Sequence, residues 1–317
     1  MSGLPKMIEI NEEGPREGFQ IEKGNIATLR KVELIERLSS TGLKHIQTVS
    51  FVNPKAVPGM ADAEEVVRDF SPSPGVTYSA LWLNKRGFER ALQFEKLSLT
   101  GAIAVSASEK FLQRNQNRSI AQQLESEIEM IDLYRLNKMP VRKAFVMAAF
   151  GCNFEGAVPV ARVVELVERL CELAASRGER IARVGLGDTM GWANPESVKR
   201  VVGAVRERRP DLEILLHLHD TRGLAIANAY AGMELGVRHF DAAVAGLGGC
   251  PFAGHQGAAG NVCTEDLVFL CEEMGIETGI DLDALIDCAR LAEDIVQHPL
   301  PGSVMKGGNL RRFRTMN

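Results

Sequence analysis

The chain has 317 residues, and its 37 basic and 41 acidic side chains leave a net charge of −4. This length supports one large domain or two ordinary ones, and the near balance of charge, without a basic stripe, argues against a nucleic-acid partner. No apolar run is long enough to span a membrane, and six scattered cysteines without a C-x-x-C pair are typical of reduced thiols. These features predict a soluble cytoplasmic protein.

Short β-rich runs alternate with amphipathic helical patterns along the chain. The predicted strands cover residues 7–11, 44–51, 76–82, 102–108, 142–150, 181–188, 213–220 and 239–246. The predicted helices cover residues 29–41, 60–70, 85–95, 119–138, 159–177, 195–209, 222–235 and 264–275, with a ninth at 281–297. Helix-start signals agree with this division, because Ser119 and the pair Asn194-Pro195 stand at the starts of predicted helices.

Eight strand–helix units in about 275 residues predict an α/β fold, a (β/α)8 TIM barrel with an extra C-terminal helix. We expect a single barrel domain over residues 1–317, with the ninth helix at about 281–297 capping or edging it. A doubly wound open sheet is the competing architecture, but no G-x-G-x-x-G motif follows the first strand.

A barrel also predicts where the site lies, because the catalytic groups of TIM barrels occupy the C-terminal ends of the strands and the loops after them. Polar residues occur at these positions. They are Arg16 and Glu17 after the first strand, Gln47 and Ser50 at the end of the second, Asp188 after the sixth, His217 and His219 at the end of the seventh, and Cys250 in the loop after the eighth. We expect these segments to converge on one mouth.

The loop AGLGGCPFAGHQGAAGN, residues 245–261, is the most distinctive segment. It places Cys250 among six glycines and ends in Asn261, and this glycine density is typical of a mobile loop that closes over a site. Just upstream, His217 and His219 are two residues apart, so on a strand both imidazoles project from the same face. A lone histidine or cysteine is more often structural, but two imidazoles, a thiol and an amide together predict a metal-assisted active site.

Six motifs follow one another over nearly the whole chain. They are GPREGFQ (14–20), SFVNPKAVPGM (50–60), VSASEKF (105–111), GLGDTMG (185–191), HLHDTRG (217–223) and VAGLGGCPFAGHQGAAGNVCTEDL (244–267). Together they resemble the 3-hydroxy-3-methylglutaryl-CoA lyase family, a group of TIM-barrel metallolyases.

The resemblance implies a divalent metal, and Mg²⁺ or Mn²⁺ suits a mixed nitrogen and oxygen ligand set. The ligands that it implies are Glu17, His217, His219 and Asn261. Two positions depart from the family's pattern, since Glu17 stands where relatives usually have Asp and Gln47 where they usually have Glu. We interpret the departures as a site retuned for a different 3-hydroxyacyl thioester.

The resemblance also implies retro-Claisen cleavage of a 3-hydroxy-carboxyacyl-CoA, such as 3-hydroxy-3-methylglutaryl-CoA, to acetyl-CoA and a keto acid. In this reaction Arg16 stabilises the enolate oxygen and Cys250 donates a proton to the enolate carbon. The sequence leaves open whether Glu17, Asp188 or a metal-bound histidine is the general base. The residues expected to contact substrate are Arg16, Gln47, Ser50, His255 and Lys23. A CoA thioester is the expected partner, and the resemblance further implies a homodimer and a place in leucine catabolism.

Three alternative functions remain open from the sequence. The first is a lyase for a related thioester such as citramalyl-CoA or a longer-branched analogue, and the second is a Claisen-condensing synthase that runs the same chemistry in reverse. The third is a metal-free thioester-binding protein that has lost activity, for which the changes at Glu17 and Gln47 are the only support. The Cys250 loop favours a lyase.

Overall fold

The computed structural model describes residues 3–22, 24–249 and 260–314. Its strands are β1 (Glu9–Glu12), β2 (His45–Ser50), β3 (Thr77–Leu81), β4 (Gly101–Ser106), β5 (Val141–Met147), β6 (Arg183–Gly187), β7 (Glu213–His217) and β8 (His239–Ala242). All pair in parallel within one curled sheet, in the order β3-β2-β1-β8-β7-β6-β5-β4. This is the cyclic order of a TIM barrel, interrupted between β3 and β4. The predicted α/β fold is therefore confirmed as TIM-barrel-like.

Helices surround the sheet. They are α1 (Phe19–Ile21), α2 (Thr28–Ser39), α3 (Ala63–Asp69), α4 (Lys85–Ala91), α5 (Glu109–Gln116), α6 (Ile120–Leu136), α7 (Val160–Ser176), α8 (Pro195–Arg208), α9 (Ala225–Glu234), α10 (Thr264–Glu273), α11 (Leu282–Val296), α12 (Val304–Gly307) and α13 (Arg311–Arg314). A π-helical turn at Gly14–Gly18 and 3₁₀ turns at Pro58–Met60 and Val244–Gly246 complete the helical segments of the described residues.

Helix α7 illustrates why these segments fold as predicted. Its buried residues include Val163, Leu166, Val167 and Leu170. Spacings of three and four residues place these side chains on one stripe of the helix, which packs onto the sheet at β5. The next helix, α8, begins where the Asn194 side chain accepts a hydrogen bond from the amide of Ser197, so the sequence signal at Asn194-Pro195 is confirmed.

The interior of the barrel below the site is shaped by two glycines of β6. A Cβ atom at Gly185 would lie 2.2 Å from the Phe145 ring, and one at Gly187 would lie 2.8 Å from it. Only glycine leaves room for this ring, whose edge meets the imidazole of His217 at a centroid separation of 5.9 Å. Phe145 therefore forms an apolar floor beside the end of β7.

Several element boundaries differ from the predictions at the C-terminal ends of the strands. Strand β7 ends at His217 rather than at residue 220, and β8 ends at Ala242, after which residues 244–246 form a 3₁₀ turn. Helix α5 and the π-helical turn at Gly14–Gly18 were not among the predicted elements. Periodicity does not mark where pairing stops, because the chain stays extended beyond the last ladder hydrogen bond.

The predicted ninth helix corresponds to α11, and of the two roles expected for it, capping or edging the barrel, its contacts are those of an edging helix. It packs against α2, α10 and the 3₁₀ turn at Val244–Gly246, and so joins the outer ring of helices between the last and the first units. Within the described residues, no helix combines the length and the apolar character needed to cross a membrane.

Candidate active site

Glu17, His217 and His219 form a compact buried cluster. Glu17 Oε1 lies 3.2 Å from His219 Nε2, and Glu17 Oε2 lies 3.7 Å from His217 Nε2. The two Nε2 atoms are 3.1 Å apart. One ligand atom from each residue lies within 4.8 Å of the others, so the three side chains can share one cation.

The backbone explains how these residues meet. His217 is the last residue of β7, and His219 forms an isolated antiparallel bridge with Asn261 that keeps the chain extended past the strand end. Both imidazoles therefore project from one face, as predicted, while Leu218 between them is fully buried. Glu17 reaches the same point from the π-helical turn that follows β1.

Asn261 adds an oxygen beside this cluster. The residue is completely buried, its Nδ2 donates to Leu247 O at 3.3 Å, and its Oδ1 has no hydrogen-bond partner. Gly248 packs between Asn261 and Glu17 with a φ of +99°, and a Cβ atom there would lie 2.5 Å from Asn261 Nδ2 and 3.0 Å from Glu17 Cγ. Only glycine suits this conformation and this close approach, which brings the amide next to the carboxylate.

Arg16 is held between two carboxylates. Its Nη1 lies 2.9 Å from Glu17 Oε2, its Nη2 forms an ion pair with Glu13, and its buried Nε has no partner. Burial alone would raise the pKa of Glu17, but Arg16 and then His217 hold that pKa well below its usual range. Burial raises the pKa of Glu13 to about 7 despite the opposing effect of Arg16. The guanidinium is thus fixed, with one donor free to bind another group.

Asp241 and Asn11 lie behind His217. Asp241 Oδ2 is 3.1 Å from His217 Nδ1, and Asn11 Nδ2 donates to Asp241 Oδ1 at 2.8 Å. Burial would lower the pKa of His217, but the carboxylates of Glu17 and Asp241 raise it to about 10 in the absence of a metal ion. The ring is therefore held by acidic groups at both of its nitrogens.

Asp188 has one anchored and one unpaired carboxylate oxygen. Its Oδ1 accepts hydrogen bonds from the amides of Trp192 at 2.7 Å and Ala193 at 3.0 Å, while its buried Oδ2 has no partner. Burial raises the pKa of Asp188, and the nearby His219 opposes this rise. Asp188 therefore shapes the turn after β6 and also presents a basic oxygen beside the imidazoles.

The donor set fits a divalent cation. Two imidazole nitrogens, a carboxylate and the unpaired amide oxygen of Asn261 are the mixed ligands that such ions accept. Of the eight buried side-chain nitrogen and oxygen atoms without a partner among the described residues, four belong to predicted site residues. These are on Arg16, Gln47, Asp188 and Asn261. Buried polar groups are rarely left unpaired, so this concentration indicates a place where an ion and a polar substrate bind.

A second acidic cluster, formed by Cys263, Glu265 and Asp266, also has ligand atoms within 4.8 Å of one another. Asp266 accepts hydrogen bonds from the amide of Val304, and Glu265 Oε2 accepts one from the amide of Ala245. Burial raises the pKa of the Cys263 thiol well above its usual value, which disfavours the thiolate that binds metals. These contacts indicate a structural role.

The other predicted residues either make no hydrogen bond with Glu17, His217 or His219 or lie outside the described part of the chain. Ser50 Oγ donates to Gln20 Oε1 at 3.2 Å, and Gln47 keeps an unpaired Oε1. The remaining predicted residues, Cys250, His255 and Lys23, lie outside the described residues, so their roles stay predictions.

Three residues of the site were missed by the sequence reasoning, namely Asn11, Glu13 and Asp241. A signal for them was present, because Asn11 and Asp241 are polar residues within the predicted first and eighth strands, and Glu13 closely follows the first. Their partners depend on the pairing register of the strands, which spacing along the chain does not give.

Comparison with known proteins gives consistent matches over the whole length. A family model described as HMGL-like matches residues 7–292. Hydroxymethylglutaryl-CoA lyase of Bacillus subtilis is 39% identical over 311 residues, which cover 98% of this chain and 99% of that protein. The Pseudomonas aeruginosa enzyme named 3-hydroxy-3-isohexenylglutaryl-CoA/hydroxymethylglutaryl-CoA lyase is 39% identical over 287 residues, covering 90% of this chain and 92% of that one. A solved HMG-CoA lyase of Acinetobacter baumannii, in complex with coenzyme A and 3-methylmalate, superimposes with a TM-score of 0.86 at 38% identity, and the match covers 96% of each chain.

Proposed function

Because the chain belongs to the HMGL-like family, we propose that it is a carbon–carbon lyase that cleaves 3-hydroxy-3-methylglutaryl-CoA to acetyl-CoA and acetoacetate. The observation that carries the proposal is the buried group of Glu17, His217 and His219, with Asn261 and Arg16 beside it. The relatives named for this activity match almost the full chain, which supports the same substrate here.

Glu17, His217, His219 and Asn261 would hold the metal ion, and we infer Mg²⁺ or Mn²⁺ because the set contains no thiolate. When bound, the ion would act as a Lewis acid that lowers the pKa of the substrate's 3-hydroxyl group. The protein contributes a water-poor setting, since all four residues are at most 9% exposed.

Arg16 is suited to stabilise the charge that develops on the thioester oxygen when the C2–C3 bond breaks. Its guanidinium is fixed by Glu13 and Glu17, so its free Nε–H donor is already oriented when substrate binds. Arg16 Nε has no hydrogen-bond partner among the described residues, and an enolate oxygen that accepts its hydrogen would supply one.

Proton transfer requires a base for the hydroxyl proton and an acid for the enolate carbon. Among the carboxylates at the site, Asp188 has the free buried oxygen, and its raised pKa suits proton acceptance. Glu17 is occupied by Arg16 and the imidazoles. We assign the base to Asp188 and, on the family resemblance, the returning acid to Cys250.

We further propose an oligomeric state, a metabolic role and a location for the protein. Family resemblance supports a homodimer and a place in leucine catabolism. A cytoplasmic location is supported by the cysteines at 152, 171, 263, 271 and 288, which are buried and free of disulfides, as expected in a reducing compartment.

The test is an assay of purified protein with Mg²⁺ or Mn²⁺ and 3-hydroxy-3-methylglutaryl-CoA, with acetyl-CoA and acetoacetate quantified by mass spectrometry. We expect turnover that a chelator abolishes and that His217→Ala reduces at least about 100-fold, because one metal ligand is lost. His298→Ala is the matched control, since His298 is exposed and its partners, Glu22 and Pro299, are not members of the cluster. Intact thioester after prolonged incubation with either metal would contradict the proposal.

A longer-branched substrate is the second candidate, because the Pseudomonas aeruginosa relative carries both substrates in its name. The same assay should therefore include 3-hydroxy-3-isohexenylglutaryl-CoA and citramalyl-CoA. Preferred cleavage of either would retain the lyase chemistry and replace the substrate.

A further inference from the structure

Asp241 lies in a row of three polar residues that crosses neighbouring strands. The pairing register sets Asn11 of β1 opposite Asp241 of β8, and Asp241 opposite His217 of β7. Residues paired in this way present their side chains on the same face of a sheet. The hydrogen bonds follow this row, from Asn11 Nδ2 to Asp241 Oδ1 at 2.8 Å and between Asp241 Oδ2 and His217 Nδ1 at 3.1 Å.

His217 belongs both to this row and to the cluster with Glu17 and His219, and its two ring nitrogens face different partners. Nδ1 faces Asp241, whereas Nε2 faces His219 Nε2 at 3.1 Å and Glu17 Oε2 at 3.7 Å. A neutral imidazole has one N–H donor and one lone pair, so a carboxylate acceptor at Nδ1 leaves the lone pair on Nε2. When a cation takes the Nε2 lone pair, the single ring proton therefore lies on Nδ1, where Asp241 accepts its hydrogen bond.

Asp241 is itself fixed in orientation. It is 7% exposed, and its second oxygen accepts from Asn11, so the carboxylate cannot turn away from the imidazole without breaking this bond. The ion proposed above does not require Asp241 as a ligand, because the ligand cluster contains Glu17, His217 and His219 without it.

We propose that Asp241, held by Asn11, is a positioning residue that fixes Nδ1 of His217 and so keeps Nε2 aimed at the metal ion. The inference rests on the proposed function, since it assumes that His217 is a ligand. Partners of this kind typically contribute 10- to 100-fold to metal affinity.

The test is a titration of purified wild-type protein and of Asp241→Asn with Mn²⁺. Electron paramagnetic resonance measures the free and bound ion at each step. Asparagine keeps the size of the side chain, but its amide can donate to Nδ1 and favour a proton on Nε2. We expect Mn²⁺ affinity to fall about 10- to 100-fold in the folded variant. Asp211→Asn is the control, because Asp211 is exposed and pairs with Arg209.

If Asp241 had only a structural role, its replacement would not change which ring nitrogen of His217 carries the proton. A second readout therefore measures the position of this proton. In Mg²⁺-loaded protein labelled with ¹⁵N-histidine, long-range ¹H–¹⁵N spectra should show His217 protonated at Nδ1 in the wild type and altered in Asp241→Asn. If that variant does not fold, Asn11→Ala takes its place, with an expected loss of Mn²⁺ affinity of about tenfold.

Wild-type affinity and an unaltered His217 signal in the folded variant would overturn the role of Asp241. If the wild type binds Mn²⁺ and cleaves the thioester, that result leaves the proposed function intact. Failure of the wild type to bind Mn²⁺ would instead overturn the proposed metal site, and this inference with it.

Discussion

Glu17 stands where the family resemblance implies an aspartate, and its contacts show how the longer acid fits the site. The longer side chain contacts both imidazoles and Arg16, and its Oε1 also accepts from the amide of Gly249 at 3.3 Å. The neutral Gln47 contributes no charge, and the carboxylates that neutralise Arg16 are those of Glu13 and Glu17. Glu17 thus reaches both imidazoles and Arg16, despite its additional methylene group.

Gly248 offers a test of the packing around Glu17 and Asn261. A Cβ atom at this position would collide with Asn261 Nδ2, and its positive φ disfavours any side chain. We expect Gly248→Ala to lower kcat/KM about 100-fold, because displacements of about 1 Å at a catalytic site have this effect. Steady-state kinetics with the preferred thioester provides the measurement.

The matched control for this substitution is Gly203→Ala in α8. No atom lies within 4 Å of a Cβ atom at Gly203, and the residue lies in a helix. Full activity and a free energy of unfolding higher by about 0.5–1 kcal/mol are expected, since alanine is the better helix former. Wild-type kcat/KM in Gly248→Ala would show that the close packing does not position the site.

Most residues of the candidate site could be predicted from the sequence, because strand ends and a glycine-rich loop mark them. Arg16 contacts Glu17. A buried polar atom without a hydrogen-bond partner is found on each of Arg16, Asp188 and Asn261. Asp241 could not be predicted, since its contacts to His217 and Asn11 depend on strand register.

Helix α6 seals the edge of the sheet at β4. The amide of Ser106 donates to Gln123 Oε1 at 3.2 Å, and the backbone groups at residues 102 and 104 hydrogen-bond to Tyr134 and Glu127. Alternate residues of a strand point their amides to the same side, so these three helix side chains replace the missing neighbour of β4. The sequence predicts this helix. Its role could not be predicted, because it depends on the absence of pairing between β3 and β4 in the sheet.

Trp82, which follows β3, ties this helix to the opposite edge of the gap. Its Nε1 donates to the hydroxyl of Tyr134 at 2.6 Å, and the Tyr134 ring meets Phe88 edge-on at 5.1 Å. Helix α5, immediately before α6, escaped prediction because its mostly polar sequence buries only Phe111 and Leu112. A short helix with two anchors gives too weak a periodic signal.

Glu127 makes the stability of this edge dependent on pH. Burial raises its pKa from 4.5 to about 8, whereas the hydrogen bond from Ala104 opposes the rise. The folded state therefore binds more protons than the unfolded state between pH 4.5 and pH 8, and the contribution of Glu127 to the free energy of unfolding falls as pH rises through this window.

We expect Glu127→Gln to flatten the pH dependence of stability between pH 5 and pH 8, because the amide can still accept from Ala104 without becoming charged. Urea unfolding at a series of pH values measures this slope. Glu129→Gln, at an exposed position of α6, should leave it unchanged. Equal slopes for Glu127→Gln and the wild type would show that Glu127 does not titrate in this window.

The whole molecule brings distant parts of the chain to one end of the barrel. Glu17 and Asn261 are separated by more than two hundred residues, yet both flank Gly248, and His219 forms a backbone bridge with Asn261. Parallel strands in cyclic order make this convergence possible, because every strand ends at the same rim. The barrel prediction from eight strand–helix units succeeded for the same reason.

The most direct test of this account is a crystal structure of the protein grown with Mn²⁺ and measured at a wavelength that reveals anomalous scattering by manganese. We predict one strong peak per chain, about 2 Å from the ligand atoms of Glu17, His217, His219 and Asn261. Full-occupancy manganese at Cys263, Glu265 and Asp266 with none between the two imidazoles, or no bound manganese at saturating concentration, would contradict it.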